Sequence, residues 1–134
     1  FLGFFVCAVY EEMVLIDYFA VMSSKRGGGV GTNALKLLSD VYPEYYIFLE
    51  IEPENEKASN ALQRVRRKNF YLRCGFQETG ILWDMYGVPM EVLCYQKQLS
   101  LNQCEKMYRY LYGRFWFLPI RRISYAHSQN SDIT

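Results

Sequence analysis

Four of the nine glycines in this 134-residue chain lie within the short stretch "KRGGGVGT". Glycine weakens the interiors of both helices and strands, so such a cluster marks a tight turn or a place where backbone closely approaches a partner. The β-branched and aromatic run that ends at Val21 predicts a strand before the cluster, and the spacing of Val30, Leu37 and Val41 predicts a helix after it. The glycines are therefore predicted to join a strand to the N-terminus of a helix.

The rest of the chain reads as further strands and helices, with no linker that would divide it into two domains. The predicted strands are 1–10, 13–22, 45–52, 77–86 and 90–98, and the predicted helices are 30–41, 59–74 and 100–113. Ser100 and Gln103 fit a capping box at the start of the last helix. The first two strands are expected to be well buried, and the last dozen residues, which are polar, are expected to be frayed.

Composition narrows the classes of function. A hydrophobic content of 51% is enough for one packed core, and a formal net charge of +1 gives no general attraction to nucleic acid or to an acidic membrane. The cysteines are scattered without metal-ligand spacing, so we expect reduced thiols, no metal and a cytoplasmic location. The apolar start at Phe1 is too short to span a bilayer, and it looks like the trailing part of a longer protein whose N-terminal elements are missing.

Several phosphate-binding patterns compete for the glycine loop, because unpaired N–H groups at a helix N-terminus attract anions. A Walker loop is excluded, since no Gly-Lys-Ser/Thr follows the glycines. The dinucleotide fingerprint G-x-G-x-x-A fits Gly29, Gly31 and Ala34, with Glu50 downstream at a strand end. Its first glycine should directly follow the strand, however, and here "MSSKR" intervenes. A dinucleotide-binding oxidoreductase is therefore the weaker alternative.

A third pattern combines Arg26-x-x-Gly29-x-Gly31 after a strand with Tyr71-x-x-x-Gly75-Phe76 at the end of the next helix. This combination resembles the GNAT superfamily of acetyl-CoA-dependent N-acetyltransferases. The resemblance covers residues 1–98 as an N-terminally incomplete core and leaves the C-terminal helix and tail, 99–134, outside it. It implies an α/β fold of the α+β type, with a mixed, partly splayed β-sheet flanked by helices.

The resemblance also implies where acetyl-CoA binds. The pantetheine arm would lie along the backbone of Phe19, Ala20 and Val21 as if it were an added strand. Tyr71 would give a proton to the departing thiolate. The loop backbone would cradle the pyrophosphate, and its residues are Arg26, Gly27, Gly28, Gly29, Val30, Gly31 and Thr32. The family often has an asparagine where this chain has Arg64, so one pantetheine contact has no counterpart here.

The general base has two candidates. Strand alternation predicts that Leu15, Asp17, Phe19 and Val21 share one face, where Asp17 is the only titratable side chain. Asp17 is therefore the first candidate, and Glu50 on the neighbouring strand could act instead through ordered water. The expected acceptor is a primary amine, either a small molecule or a peptide, with charged tRNA left open. A non-catalytic CoA sensor or interaction module is the alternative from another class.

Three further predictions concern residues outside the glycine loop. The basic run from Arg64 to Lys68 is expected to be a solvated helix surface, and one of its side chains could reach a CoA phosphate. Cys74 adjoins the site but has no histidine nearby in sequence to activate it, so we expect it to serve packing. The apolar face of the last helix is expected to dock on the sheet or to form a homodimer.

Overall fold

The computed structural model of the chain describes residues 3–21, 29–85, 87–113 and 120–125. The strands are β1 (Gly3–Tyr10), β2 (Met13–Val21), β3 (Tyr46–Ile51), β4 (Phe76–Met85), β5 (Val88–Tyr95) and β6 (Ile120–Tyr125). The helices are α1 (Val30–Val41), α2 (Ala61–Arg73) and α3 (Leu101–Tyr112). Every predicted strand and helix is therefore present, with ends that shift by a few residues.

The strands form one mixed sheet in the order β1-β2-β3-β5-β4-β6. The β2–β3 pair is parallel, while the other neighbouring pairs are antiparallel. Pairing of β2 with β3 runs only from Met13–Tyr46 to Ile16–Leu49, so the second half of β2 has no ladder with β3. The predicted splayed pair of strands is thereby confirmed, and the gap that it leaves is where the candidate site lies.

Helices cover both faces of the sheet. We call the side against α1 and α2 the α1–α2 face; its buried core includes Ile16, Leu35 and Leu49. The opposite side, which we call the α3 face, packs Met107 and Tyr108 of α3 onto buried strand residues. The expectation that the last helix docks on the sheet is confirmed. Among the described residues, no helix is long and apolar enough to cross a membrane.

Local sequence signals explain where the helices begin. The Ser100 hydroxyl accepts a hydrogen bond from the Gln103 backbone N–H at 3.1 Å, and the Gln103 side chain accepts one from the Ser100 N–H at 3.0 Å. The predicted capping box is therefore formed. Helix α1 begins differently, because its N-cap is Gly29 in a left-handed conformation with φ of 77°. No side chain in the described part of the chain caps this helix, so within that part its first N–H groups have no capping partner.

Two expectations about the sheet are wrong. Strand β1 is not well buried: it lies at the edge of the sheet, and Phe4, Val6 and Val9 are 45%, 47% and 40% exposed. The C-terminal dozen is not frayed throughout, because residues 123–125 belong to β6, which pairs with β4. The sequence did not indicate this strand, because the segment is mostly polar and residues such as Asp and Asn are uncommon in strands. Residues 126–134 lie outside the described part of the chain.

The predicted shared face of β2 is also wrong, because a β-bulge interrupts the strand. Val6 pairs with Tyr18 and Cys7 pairs with Ile16, so Asp17 is an extra residue without a partner on β1. A bulge shifts the alternation of side chains by one position. Leu15 consequently packs in the core of the α3 face, whereas Phe19 packs on the α1–α2 face.

Candidate active site

A cleft of about 670 Å³ opens on the α1–α2 face where β2 separates from β3. It brings together predicted site residues that are far apart in sequence. The residues lining it are Tyr18, Phe19, Ala20, Val21, Gly31, Arg66, Arg67, Phe70 and Tyr71. Its volume lies within the range of sites that bind small molecules and cofactors. Because residues 17–21 of β2 make no ladder with β3, their backbone groups on that side can bind an extended ligand.

The predicted phosphate loop is described only in part. Arg26, Gly27 and Gly28 lie outside the described residues. Among the described residues, a Cβ added at Gly29 would meet no atom within 4 Å, whereas a Cβ at Gly31 would lie 2.8 Å from the ring of Phe70. In this structure Gly31 thus packs closely against an aromatic side chain of α2, which would have to shift to admit a Cβ.

The junction between α1 and α2 also explains Thr32 and Cys74. The Thr32 hydroxyl lies 3.4 Å from the Cys74 sulfur and is hydrogen-bonded to it. Cys74 packs against the core of the α1–α2 face, in agreement with the packing role expected for it. None of the four cysteines, all of which lie in the described residues, is in a disulfide.

Tyr71 lies at the C-terminal end of α2 with its ring against Phe70 and Phe76, at centroid distances of 5.3 and 5.4 Å. Burial raises the pKa of its phenol, an effect partly opposed by the positive charge of Arg67. The group is therefore protonated at neutral pH. A half-buried phenol that faces a ligand cleft can serve as a proton donor.

Glu50 lies on the α3 face, since it alternates along β3 with Phe48, which belongs to the core there. The indole Nε1–H of Trp83 donates a hydrogen bond to its carboxylate at 3.1 Å. Burial raises the pKa of Glu50 to about 7, with smaller lowering effects from Tyr108 and Trp83 and a smaller raising effect from Asp17. At neutral pH this carboxyl group is therefore divided between its two protonation states.

Two aromatic residues near Glu50 were not identified as site residues from the sequence. Trp83 and Tyr108 stack with ring centroids 3.6 Å apart and are 1% and 0% exposed. The Tyr108 hydroxyl lies near the Glu50 carboxyl and lowers its pKa, although among the described residues it has no hydrogen-bond partner. Its position on the apolar stripe of α3 predicted only a packing role.

Asp17, the first candidate for the base, is exposed on the bulge of β2. It lines a second cavity, on the α3 face, together with Leu15, Leu111 and Tyr112. Tyr71 and the two candidate bases are therefore on opposite faces of the sheet. The two faces of the sheet meet at the gap between β2 and β3. An acid on one face and a base on the other could therefore act there on one reacting group.

Four of the five basic residues of α2 form two pairs with different surroundings. Arg64 is bound to Glu52 at 2.5 Å, and Lys68 to Glu78 and Glu91 at 2.8 and 2.9 Å. These two side chains are only 17% and 14% exposed, so the expectation of a fully solvated basic surface is wrong for them. Arg66 and Arg67 instead line the cleft.

The family model of the acetyltransferase (GNAT) family matches residues 1–76, more than half of the chain. The chain belongs to this family. The resemblance carried by the glycine loop and the end of α2 is thereby confirmed, as is the expected fold class. No curated protein sequence gives a significant match.

Solved structures of other GNAT proteins share this fold. A Bacteroides thetaiotaomicron protein described as an acetyltransferase of the GNAT family gives a TM-score of 0.59 at 23% identity, over 83% of this chain and 63% of its own. Ard1 from Thermoplasma volcanium gives 0.51 at 21% identity, with coverages of 72% and 64%. The ribosomal-protein-S18-alanine N-acetyltransferase of Escherichia coli gives 0.53 at 18% identity, with 74% and 63%. This GNAT chain spans less than two thirds of the length of each.

Proposed function

We propose that this GNAT chain transfers the acetyl group of acetyl-CoA to a primary amine by direct attack in a ternary complex. The observation that carries the proposal is the cleft at the point where β2 and β3 separate, since it gathers Phe19–Val21, Gly31 and Tyr71 in one place. A substrate that lies in this cleft can present its thioester to the gap in the sheet.

The cleft fits the chemistry of coenzyme A in three respects. The unpaired edge of β2 offers hydrogen bonds to the amide groups of a pantetheine arm. The uncapped N-terminus of α1, which Gly29 leaves open, offers N–H groups and the positive end of a helix dipole to a pyrophosphate. Arg66 and Arg67 add positive charge at the wall of the cleft.

Acetyl transfer requires two proton movements, and the two faces of the sheet offer a group for each. The amine nitrogen attacks the thioester carbon, a C–N bond forms, and the C–S bond breaks. In our proposal Glu50 accepts the proton that the nitrogen loses, and Tyr71 gives its proton to the leaving sulfur. Glu50 suits the base because its pKa of about 7 lets it accept a proton at neutral pH.

Tyr71 suits the acid because its raised pKa keeps the phenol protonated until the sulfur departs. A phenol is ordinarily less acidic than a thiol, with reference pKa values of about 10 and 8.5. The thiolate that leaves in this cleft is itself partly desolvated, which raises its proton affinity in the same direction. After one turnover Glu50 is a carboxylic acid and Tyr71 is a phenolate. Proton exchange with solvent restores both groups.

The first test compares ligand binding with turnover on the full chain. Acetyl-CoA and CoA should raise the melting temperature, because a ligand that binds only the folded state stabilises it, whereas NAD and NADP should not. Release of free thiol from acetyl-CoA should then depend on an added amine. Stabilisation by NAD or NADP alone would overturn the assignment. Stabilisation by acetyl-CoA without thiol release across an amine panel would favour the non-catalytic sensor.

A further inference from the structure

The α3 face carries a cavity of about 310 Å³ beside the bulge of β2. It lies on the opposite side of β2 from the cleft, yet adjacent residues, Asp17 and Tyr18, line the two spaces. The residues lining the cavity are Val6, Cys7, Ala8, Leu15, Asp17, Leu111 and Tyr112. The size is at the lower end of the range for ligand sites, so the cavity suits a compact molecule.

The lining combines apolar side chains with one carboxylate. Asp17 is the only charged residue among those that line the cavity. Within the part of the chain that the structure describes, no lysine or arginine forms an ion pair with it. A solvent-exposed carboxylate above an apolar pocket attracts a cation whose remaining atoms are hydrocarbon.

The register of the parallel strands places this carboxylate near the proposed base. Ile16 and Leu49 are the last paired residues of β2 and β3, and Asp17 and Glu50 are the next residues along each strand. Both belong to the α3 face, and Asp17 lies close enough to Glu50 to act on it electrostatically. The two carboxyl groups therefore flank the point at which the strands separate.

The buried hydroxyl of Tyr108 is a second sign that this region binds a polar group. It is fully buried and has no hydrogen-bond partner among the described residues, although it lies near Glu50. A buried polar group without a partner is costly, and such groups are commonly satisfied by a water or a ligand.

Resting on the proposed acetyl transfer, we propose that this cavity is the acceptor site and that the acceptor is a small aliphatic amine, bound as its ammonium ion. Asp17 holds the cation, Leu15 and Leu111 contact its hydrocarbon body, and the C-terminal end of α3 limits its length. The ammonium ion first gives one proton to Glu50, which releases it to solvent, and becomes the neutral nucleophile. Glu50 then accepts the second proton, which the nitrogen loses on attack. Helix α3, which lies beyond the segment that the family model matches, thus determines acceptor specificity.

A pair of matched amines tests the proposed class of acceptor. Propylamine and β-alanine have the same length, but β-alanine carries a carboxylate where propylamine has a methyl group. The proposal expects kcat/KM for propylamine to exceed that for β-alanine by about tenfold or more, because like charges near Asp17 repel. Equal values, or a preference for a tripeptide amine over propylamine, would contradict the proposed small cationic acceptor.

Two variants test the location. Leu111→Trp fills the cavity and should raise the KM for propylamine by about tenfold or more, while Leu62→Trp, at a 64% exposed site on α2, should leave it unchanged. Asp17→Asn keeps the shape, and it should raise the same KM and reduce discrimination against β-alanine. Neither variant should alter the melting-temperature shift given by acetyl-CoA, since that ligand is assigned to the opposite face.

The outcomes separate this inference from the function on which it rests. If no amine leads to thiol release, the proposed acetyl transfer itself is wrong. Amine-dependent thiol release in the wild type, with KM for propylamine unchanged in both Leu111→Trp and Asp17→Asn, would leave the function standing and overturn the acceptor site. If Leu111→Trp does not fold, the isosteric Asp17→Asn alone decides the location.

Discussion

At the scale of single residues, the proposed chemistry depends on how burial changes acidity. Tyr71 and Glu50 both have raised pKa values, and in both cases the largest cause is loss of hydration. The consequence differs because the two groups start from different reference values. A raised phenol pKa only keeps Tyr71 protonated, whereas a raised carboxyl pKa brings Glu50 into the range where it can exchange protons at neutral pH.

Tyr71→Phe should lower turnover by about 10²- to 10⁴-fold, the usual contribution of a positioned proton donor. The ring and its contacts with Phe70 and Phe76 stay, so the affinity for acetyl-CoA should be nearly unchanged. Steady-state kinetics together with calorimetry give both quantities. Tyr95→Phe is the control, because Tyr95 also packs on Phe76 but does not line the cleft. Full activity in Tyr71→Phe would mean that solvent supplies the proton.

At the scale of elements, α3 and β4 together set the state of the proposed base. Trp83 of β4 donates a hydrogen bond to Glu50, and Tyr108 of α3 stacks on Trp83 and covers the same carboxyl group. Burial is the largest cause of the raised pKa of Glu50, and these two side chains, from elements far along the chain, lower it. We regard Trp83 and Tyr108 as positioning residues, since they act through Glu50.

The pH profile tests this control. Activity should rise with pH through about 7 as Glu50 ionises. Because Tyr108 lowers the pKa of Glu50, Tyr108→Phe should move the acid limb of kcat/KM to higher pH, whereas Tyr110→Phe, at a 54% exposed site on the same helix, should not. An acid limb that stays in place in Tyr108→Phe would argue against Glu50 as the base.

The raised pKa of Glu50 also makes the free energy of unfolding depend on pH. Folding raises the pKa of Glu50 from 4.5 to about 7, so the folded state binds more protons between these values. The stabilising contribution of protonated Glu50 is therefore complete below about pH 4.5 and is lost as the pH rises through about 7. Glu50→Gln should flatten this part of the pH–stability curve.

The junction between the glycine loop and α1 gives another prediction at the scale of elements. Gly29→Glu should abolish CoA binding by placing a carboxylate at the open N-terminus of the helix, where a phosphate is expected. Gly87→Glu is a matched control, because Gly29 and Gly87 have φ values of 77° and 82° and both have open space at the Cβ position. Both variants introduce the same backbone strain. A difference between their affinities for CoA, measured by calorimetry, therefore reflects the position of Gly29 in the loop. Equal affinities would remove the phosphate assignment.

At the scale of the whole molecule, α3 completes the hydrophobic core of the sheet. Cys104, Met107 and Tyr108 are fully buried against strand residues that include Met13, Phe48 and Trp83. Without this helix one face of the sheet would expose a large apolar surface, which monomeric proteins rarely tolerate. The expected homodimer remains a prediction, for which light scattering on the full chain is the direct measurement.

Met107→Ala should lower the free energy of unfolding by about 2–5 kcal/mol, the range for truncating a buried aliphatic side chain to alanine. Urea denaturation gives this quantity. Leu62→Ala, at an exposed position of α2, should change it by about 0.5 kcal/mol or less. If the two variants behave alike, α3 does not contribute to the core as the structure indicates.

The sequence by itself determined the features that depend on neighbouring residues. The capping box at Ser100 and the glycine turn before α1 involve groups a few positions apart, so local pattern was enough to predict them. The same holds for the order of strands and helices, and for the loop and helix-end motifs that carry the family resemblance. Local propensity and periodic spacing act over one turn or one strand, which is the range that a sequence pattern can report.

The tertiary structure alone decided which face each side chain occupies and how acidic it is. The bulge at Asp17 arises from a mismatch between two strands, and it reversed the predicted face of Phe19. The pKa of Glu50 depends on burial, which raises it, and on Tyr108 and Trp83, which lower it and lie far along the chain. Strand register and desolvation are properties of groups brought together by folding, so they follow from packing across the sheet, and the spacing of residues along one segment does not contain them.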